Sequence, residues 1–218
     1  MHAPDGFFSP AVNVVSGAVS LGVILYSFKK TFKNLEKYRV YMMAAVGAFI
    51  FAAQMLNFTV SAGTSGHFLG GVTAGIMLGP WAGTIVMTTV VVLQAIIFQD
   101  GGIIALGPNI LNMGIWGTLI GYYIYASLKG TATNLKLGMY FGAFVASWVA
   151  VMLAAFFCSL QLAISGVLSL GELLPPMLSV HAKIGIGEGL ISALFIFFLM
   201  LFEPQLVWHD VKFEEIKV

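Results

Sequence analysis

The chain opens MHAPDGFFSP, and the histidine at its second position offers more chemistry than any other residue in that stretch. A free α-amine on Met1, the amide nitrogen of His2 and Nδ1 of its imidazole can close on one metal ion. Amine to amide makes a five-membered ring, and amide to Nδ1 makes a six-membered ring. Both rings are nearly strainless, and their three nitrogens lie in one plane. One more imidazole would complete a square, a geometry that suits Ni(II) or Cu(II) better than Zn(II). An amide nitrogen must lose its proton to bind, so affinity should fall with pH. The expected fourth donor is His67, in SAGTSGHFLGG (61–71). Gly63, Gly66, Gly70 and Gly71 give that loop backbone freedom and let another segment approach closely. Pro4 and Gly6 should shape APDG into a turn that feeds Met1 inward. Asp5 is expected either to cap the first helix or to orient an imidazole.

The elements that must carry these residues follow from composition. Of 218 residues, 59% are hydrophobic and only 9% charged, and the mean hydropathy is +0.96. Soluble domains carry about 25% charged residues, so this chain cannot cover a water-facing surface. It reads as a single polytopic, all-α membrane domain over residues 1–218. A net charge of +1 argues against nucleic acid as a partner. The single Cys158 forms no disulfide framework and reads as a small buried hydrophobe. The ten residues before the first apolar run contain no Lys or Arg, unlike a cleavable leader, and Met1 is expected to be kept.

Apolar spans are expected at roughly 9–28, 40–60, 66–79, 81–98, 103–128, 137–166 and 181–202. The third and fourth meet at LGPWAG, and as one kinked helix they would leave six spans. FQDGG (98–102) reads as a tight turn, and GVLSLGELLPP (166–176) as an outer loop or short interfacial helix. Basic residues stay on the cytoplasmic side. With seven spans and the N-terminus outside, Lys29, Lys30, Lys33, Lys37, Arg39, Lys129, Lys136, Lys212 and Lys217 all fall inside. Lys183 alone is expected at the outer end of a helix. This favours seven spans and a cytoplasmic C-terminus. It also gathers His2, Asp5, His67, Asp100, Glu172 and His181 near the outer face, leaving His209 in the inner tail. His181 could cap a helix, join a hydrogen-bond network or ligate, and Glu188 could anchor a polar network inside the bundle. The eleven methionines read mainly as apolar filler.

Four segments carry a resemblance to a known family: MHAPDGFFSP, QMLNFTVSAGTSGHFLGG (54–71), QAIIFQDGGIIALGPNILNMG (94–114) and HAKIGIGEGLIS (181–192). Together they resemble the substrate-binding membrane subunit (S component) of nickel and cobalt energy-coupling factor (ECF) transporters, the NikM/CbiM family. The resemblance covers nearly the whole chain. It implies seven helices, six shared with vitamin-binding ECF subunits and one extra at the N-terminus. It implies ligation of transported Ni2+, or Co2+, by Met1, His2 and His67. It suggests Asn57, Ser65, Gln94, Asp100, Asn109, Asn112 and His181 as polar neighbours of that site. The family usually has a bulky aliphatic at position three, where this chain has Ala3.

The implied setting is a prokaryotic cell membrane. The implied partners are a transmembrane coupling protein, a cytosolic ATPase pair and a small accessory membrane protein. The chain itself has no G-x-x-x-x-G-K-[ST] phosphate loop. Ala44, Ala48 and Ala52 make a small-residue stripe that could receive the coupling protein or pack internally. Competing readings are a Co2+ uptake subunit supplying cobalamin synthesis, an ECF subunit for a vitamin, and a stand-alone nickel permease, whose H-x-x-x-x-D-H signature is absent. A remoter one is an intramembrane serine protease, with Ser65 in GTSG as nucleophile and His181 as base.

Overall fold

The computed structural model describes residues 2–33, 35–55, 57–59 and 65–208. Among them, seven helices form one bundle. They are α1 (Pro10–Phe32), α2 (Lys37–Gln54), α3 (Gly71–Leu78), α4 (Pro80–Ile97), α5 (106–128), α6 (Leu135–Ile164) and α7 (Leu170–Phe202). The middle of α5, Leu111–Ile120, is wound as a π-helix between the α-helical stretches Leu106–Ile110 and Gly121–Leu128. Four helices (α1, α4, α6 and α7) are long and apolar enough to cross a membrane. Their outward faces are apolar too: Val14, Val15, Leu25, Phe141, Leu194 and Phe202 are all exposed, as lipid contact requires.

Several boundaries differ from those read in the sequence. The second helix ends at Gln54 rather than near 60. There Gln54 turns inward, donating to the Leu69 carbonyl at 2.6 Å and accepting from Gln94 at 2.9 Å. Asn57–Thr59 and Ser65–His67 then pair as short antiparallel strands, β1 and β2, with Asn57 opposite His67. Helix α3 therefore starts at Gly71 rather than 66, and its eight residues are too few to span a bilayer alone. Gly79, at φ +83°, breaks the chain between α3 and α4, so they are two helices and the count is seven. The largest departure lies at 166–176. Helix α7 already begins at Leu170 and runs through Pro175 and Pro176. Glu172 accepts from the Ser169 amide at 3.0 Å and closes a capping box that starts the helix early. The prolines free the carbonyls of Gly171 and Glu172, and both residues are exposed. Lys183 is consequently well inside a helix, about 20 Å from its start.

Close packing is set by small residues. Gly185 and Gly189 on α7 admit the rings of Trp148 and Phe144 from α6; a Cβ at either would stand 3.0 and 2.8 Å from them. Ser147 and Ser192 hydrogen-bond across the same seam at 2.9 Å. On the other side of the bundle, Ser20 of α1 donates to the Gly107 carbonyl at 2.9 Å. Cys158 is free and fully buried, an apolar filler as expected. Ala44, Ala48 and Ala52 are exposed on α2, so the stripe is not internal packing. His209, Lys212 and Lys217 lie outside the described residues.

Candidate metal site

The segment before α1 is threaded into the bundle. Ser9 caps α1, accepting from the Val12 amide, and its own amide donates to Ser165 Oγ at 2.9 Å. Gly6, at φ +88°, reverses the chain as the APDG turn requires. Beyond it, Ala3 is clamped on both sides of its peptide. Its amide donates to Asn109 Oδ1 and its carbonyl accepts from Asn109 Nδ2, both at 3.0 Å. The Gly102 amide also donates to that carbonyl, at 3.0 Å. Asp5 neither caps α1 nor touches an imidazole. Its carboxylate accepts the amides of Ile104 and Ala105 at 2.8 and 3.1 Å, which ties the leader to the start of α5. Gly101 and Gly102 make room for this arrangement. Gly101 is at φ +93° against His2, and a Cβ on Gly102 would collide with Asp5.

This threading buries His2, only 3% exposed, beside fully buried His67. Their rings stack with centroids 4.8 Å apart and planes inclined by 26°. Metal–imidazole bonds are about 2 Å long, so two donors on one ion stand at most about 4 Å apart. His67 Nδ1 is 2.7 Å from the Phe68 carbonyl and donates to it, which leaves the Nε2 lone pair free. That Nε2 is buried with no hydrogen-bond partner, and the Asp100 carboxylate stands 3.5 Å from His2 Nδ1. Burial pushes the His2 pKa down to about 3 and that of His67 well below its usual value. Both imidazoles are therefore neutral near pH 7, with lone pairs available. Burying an imidazole lone pair without a hydrogen bond is costly, and two neutral rings set face to face are chemically suited to ligate one cation.

Residues 2–206 match the family described as "CbiM: Cobalt uptake substrate-specific transmembrane region". The chain belongs to this family. Similar proteins include the "Putative fused nickel transport protein NikMN" of Archaeoglobus fulgidus, 36% identical over 209 residues, which cover 95% of this chain and 68% of that one. A "Putative metal transport protein" of Haloquadratum walsbyi is 38% identical over 214 residues, 97% of this chain and 95% of that one. A solved structure titled "Crystal Structure of an Truncated Transition metal Transporter" superposes with a TM-score of 0.83 at 32% identity, covering 92% of this chain and 99% of that one. This member of the CbiM/NikM family is thus a multi-pass, all-α membrane component of ECF-type nickel or cobalt uptake. It is a transport protein, which sets aside the serine-protease reading of Ser65 and His181.

The remaining residues singled out in the sequence take distinct places around the two rings. Asp100 Oδ1 is 3.5 Å from His2 Nδ1. Its carboxyl, half-buried, is held above its ordinary pKa by desolvation. Gln94 holds Gln54, and its own Oε1 is buried without a partner. Asn109 is the clamp on Ala3. Asn112 instead forms a reciprocal amide pair with Gln161, at 2.7 and 3.2 Å, inside the bundle. His181 is fully buried, its Nδ1 2.7 Å from the Met177 carbonyl and its Nε2 unpartnered. The side chains of Asn57 and Ser65, and Met1 altogether, lie outside the described residues.

Glu188 plays a larger part than the sequence indicated. Its two carboxylate oxygens accept the amides of Leu69 and Gly70 at 2.7 and 2.9 Å. Gln54 takes the Leu69 carbonyl. Together they fix the backbone just after His67. The available signal was the presence of Glu188 and Gln54, polar residues in otherwise apolar helices.

Proposed function

We propose that the chain captures Ni2+ at the outer face of a prokaryotic cell membrane, through the Met1 amine, the His2 amide and imidazole, and the His67 imidazole. The reading is carried by one observation: His2 and His67 are buried ring to ring, with the Nε2 lone pair of His67 left without a hydrogen bond. The clamp on Ala3 supports it, because it fixes the His2 side chain and backbone together where a chelate through both would need them. It also commits the Ala3 amide to Asn109, leaving that nitrogen out of the donor set.

Nickel is preferred to cobalt because a plane of nitrogens including a deprotonated amide suits Ni(II) better than Co(II). The family description, which names cobalt, favours a second reading in which Co2+ is carried for cobalamin synthesis. The whole chain 1–218 acts as one substrate-binding domain, with its N-terminus outside and C-terminus cytoplasmic. Energy comes from partners: a transmembrane coupling protein docked on the exposed Ala44, Ala48 and Ala52 stripe, and a cytosolic ATPase pair. The fused NikMN name of a relative supports a small accessory membrane component as well.

Calorimetric titration of purified full-length protein with Ni2+ and with Co2+ tests this. The expected result is one Ni2+ per chain, bound more tightly than Co2+, and loss of at least about a hundredfold in affinity on His67→Ala. Unchanged Ni2+ binding by His67→Ala would remove the fourth donor from the scheme.

A further inference from the structure

The opposite end of α1 from His2 carries a second polar feature, independent of the metal reading. The last turn of α1, the first turn of α2, the Gly79 elbow and Trp208 line a half-open cavity of about 60 Å³. That is room for roughly two water molecules at liquid density, or one tetrahedral oxyanion group, and too little for a nucleotide or peptide.

Its two charged side chains are both cations, and the Leu78 carbonyl beside them is already engaged by Arg39. Lys30 and Arg39 line it, and among the described residues neither is in an ion pair with a carboxylate. Arg39 spends one N–H on the Leu78 carbonyl at 2.9 Å and stacks 4.2 Å from the Trp208 ring, so its guanidinium is held in place with donors to spare. Helix α4 begins at Pro80, so the amides of Trp81 and Ala82 in its first turn have no intrahelical acceptor. The helix dipole adds positive potential there.

Thr31 supplies the independent sign that a ligand belongs here. It lines the cavity, is 6% exposed, and its hydroxyl has no partner. Ser27, Thr84 and Thr89, also in helices, each satisfy theirs on the carbonyl four residues back, at 2.8, 2.8 and 2.9 Å, whereas Thr88 and Thr118 share the unpartnered state of Thr31 but do not line this cavity. A buried hydroxyl that declines that bond is short of an acceptor.

The surroundings indicate where the oxyanion comes from. Tyr26 packs edge-on to Trp81 at 4.8 Å, Lys30 lies 5.4 Å over the Tyr26 ring, and Trp208 closes the far side. Tyr and Trp at a helix end mark the headgroup level of a bilayer. Lys29, Lys33 and Lys37 stand nearby in sequence, and such basic clusters draw anionic lipids. We propose that this cavity seats the phosphate of an anionic phospholipid headgroup, held by Lys30, Arg39 and the Thr31 hydroxyl. The lipid would pin α1 and α2 to the α3–α4 elbow.

Native mass spectrometry of the full chain, released from detergent containing phosphatidylglycerol or phosphatidylcholine, tests this. The expected result is one retained phosphatidylglycerol per chain and no retained phosphatidylcholine. Thr31→Val, close to isosteric, and Lys30→Gln should each cut retention by about fivefold or more. Lys30 is exposed, so its variant folds even if the other does not. Equal retention of the two lipids, no retention of either, or unchanged retention in both variants overturns the proposal. Displacement of the lipid by millimolar inorganic phosphate also overturns it, assigning the cavity to free phosphate instead.

Discussion

His2 and His67 have lost the proton affinity that makes histidine a pH sensor. Burial holds His2 near a pKa of about 3 and His67 well below its usual value. Near neutral pH neither imidazole has a proton to surrender. Protons displaced by the proposed chelate come from the α-amine, with an ordinary pKa of about 8, and from the His2 amide. Free protein therefore holds two more protons than the metal complex below pH 7, and lowering pH weakens binding. The predicted slope between pH 7 and 5 is about a hundredfold loss of Ni2+ affinity per pH unit, with no inflection near 6.5 from either histidine. Competition titrations across that range check it. A single tenfold step per unit, levelling above 6.5, would assign the proton to an imidazole instead. Burial also explains why His2 mattered in the sequence: a histidine at position two is unremarkable until its ring is taken out of water.

At the scale of elements, the site depends on two pieces of irregular backbone that the helices hold still. The leader is pinned by Asn109 and Asp5, and the strand and glycine loop by Glu188 and Gln54. Replacing Glu188 with Gln keeps the volume but turns an N–H toward one of the two backbone amides. Leaving one buried amide unpaired costs about 1–3 kcal/mol, so Ni2+ should bind roughly five- to a hundredfold more weakly with the ligands themselves untouched. Calorimetry on Glu188→Gln checks this, and unchanged affinity would show that the loop keeps its shape unaided.

How much of this was legible follows the same division. The apolar helices announced themselves, because hydropathy and length alone define a span. The glycine loop gave away its freedom but not its strands, since 57–67 lacks the alternation of a buried face. The segment with Pro175 and Pro176 read as an outer loop or short interfacial helix because two consecutive prolines outweighed the S-x-x-E capping signature of Ser169 and Glu172 upstream. Asp5 read as a helix cap or as the orienter of an imidazole because the amides that donate to it, those of Ile104 and Ala105, are distant in sequence.

At the scale of the whole molecule, the polar leader and Trp208 mark opposite ends of the bundle, and basic residues crowd the latter end. The proposed orientation makes a direct prediction. In a Cys158→Ala background, a cysteine at Leu168 lies at the leader's end and one at Thr133 at the other; both positions are exposed. A membrane-impermeant maleimide should label position 168 in intact cells and position 133 only after permeabilisation. The reverse pattern would invert the capture step and put the site on the cytoplasmic side.

The central claim is that an unblocked Met1 amine completes the ligand set begun by His2 and His67. The direct measurement compares metal content and visible absorption of purified chain starting at Met1 with the same chain carrying one extra N-terminal residue. The account predicts one yellow, diamagnetic, square-planar Ni(II) per chain in the first and its loss in the second. Stoichiometric nickel with an identical spectrum in both would contradict it.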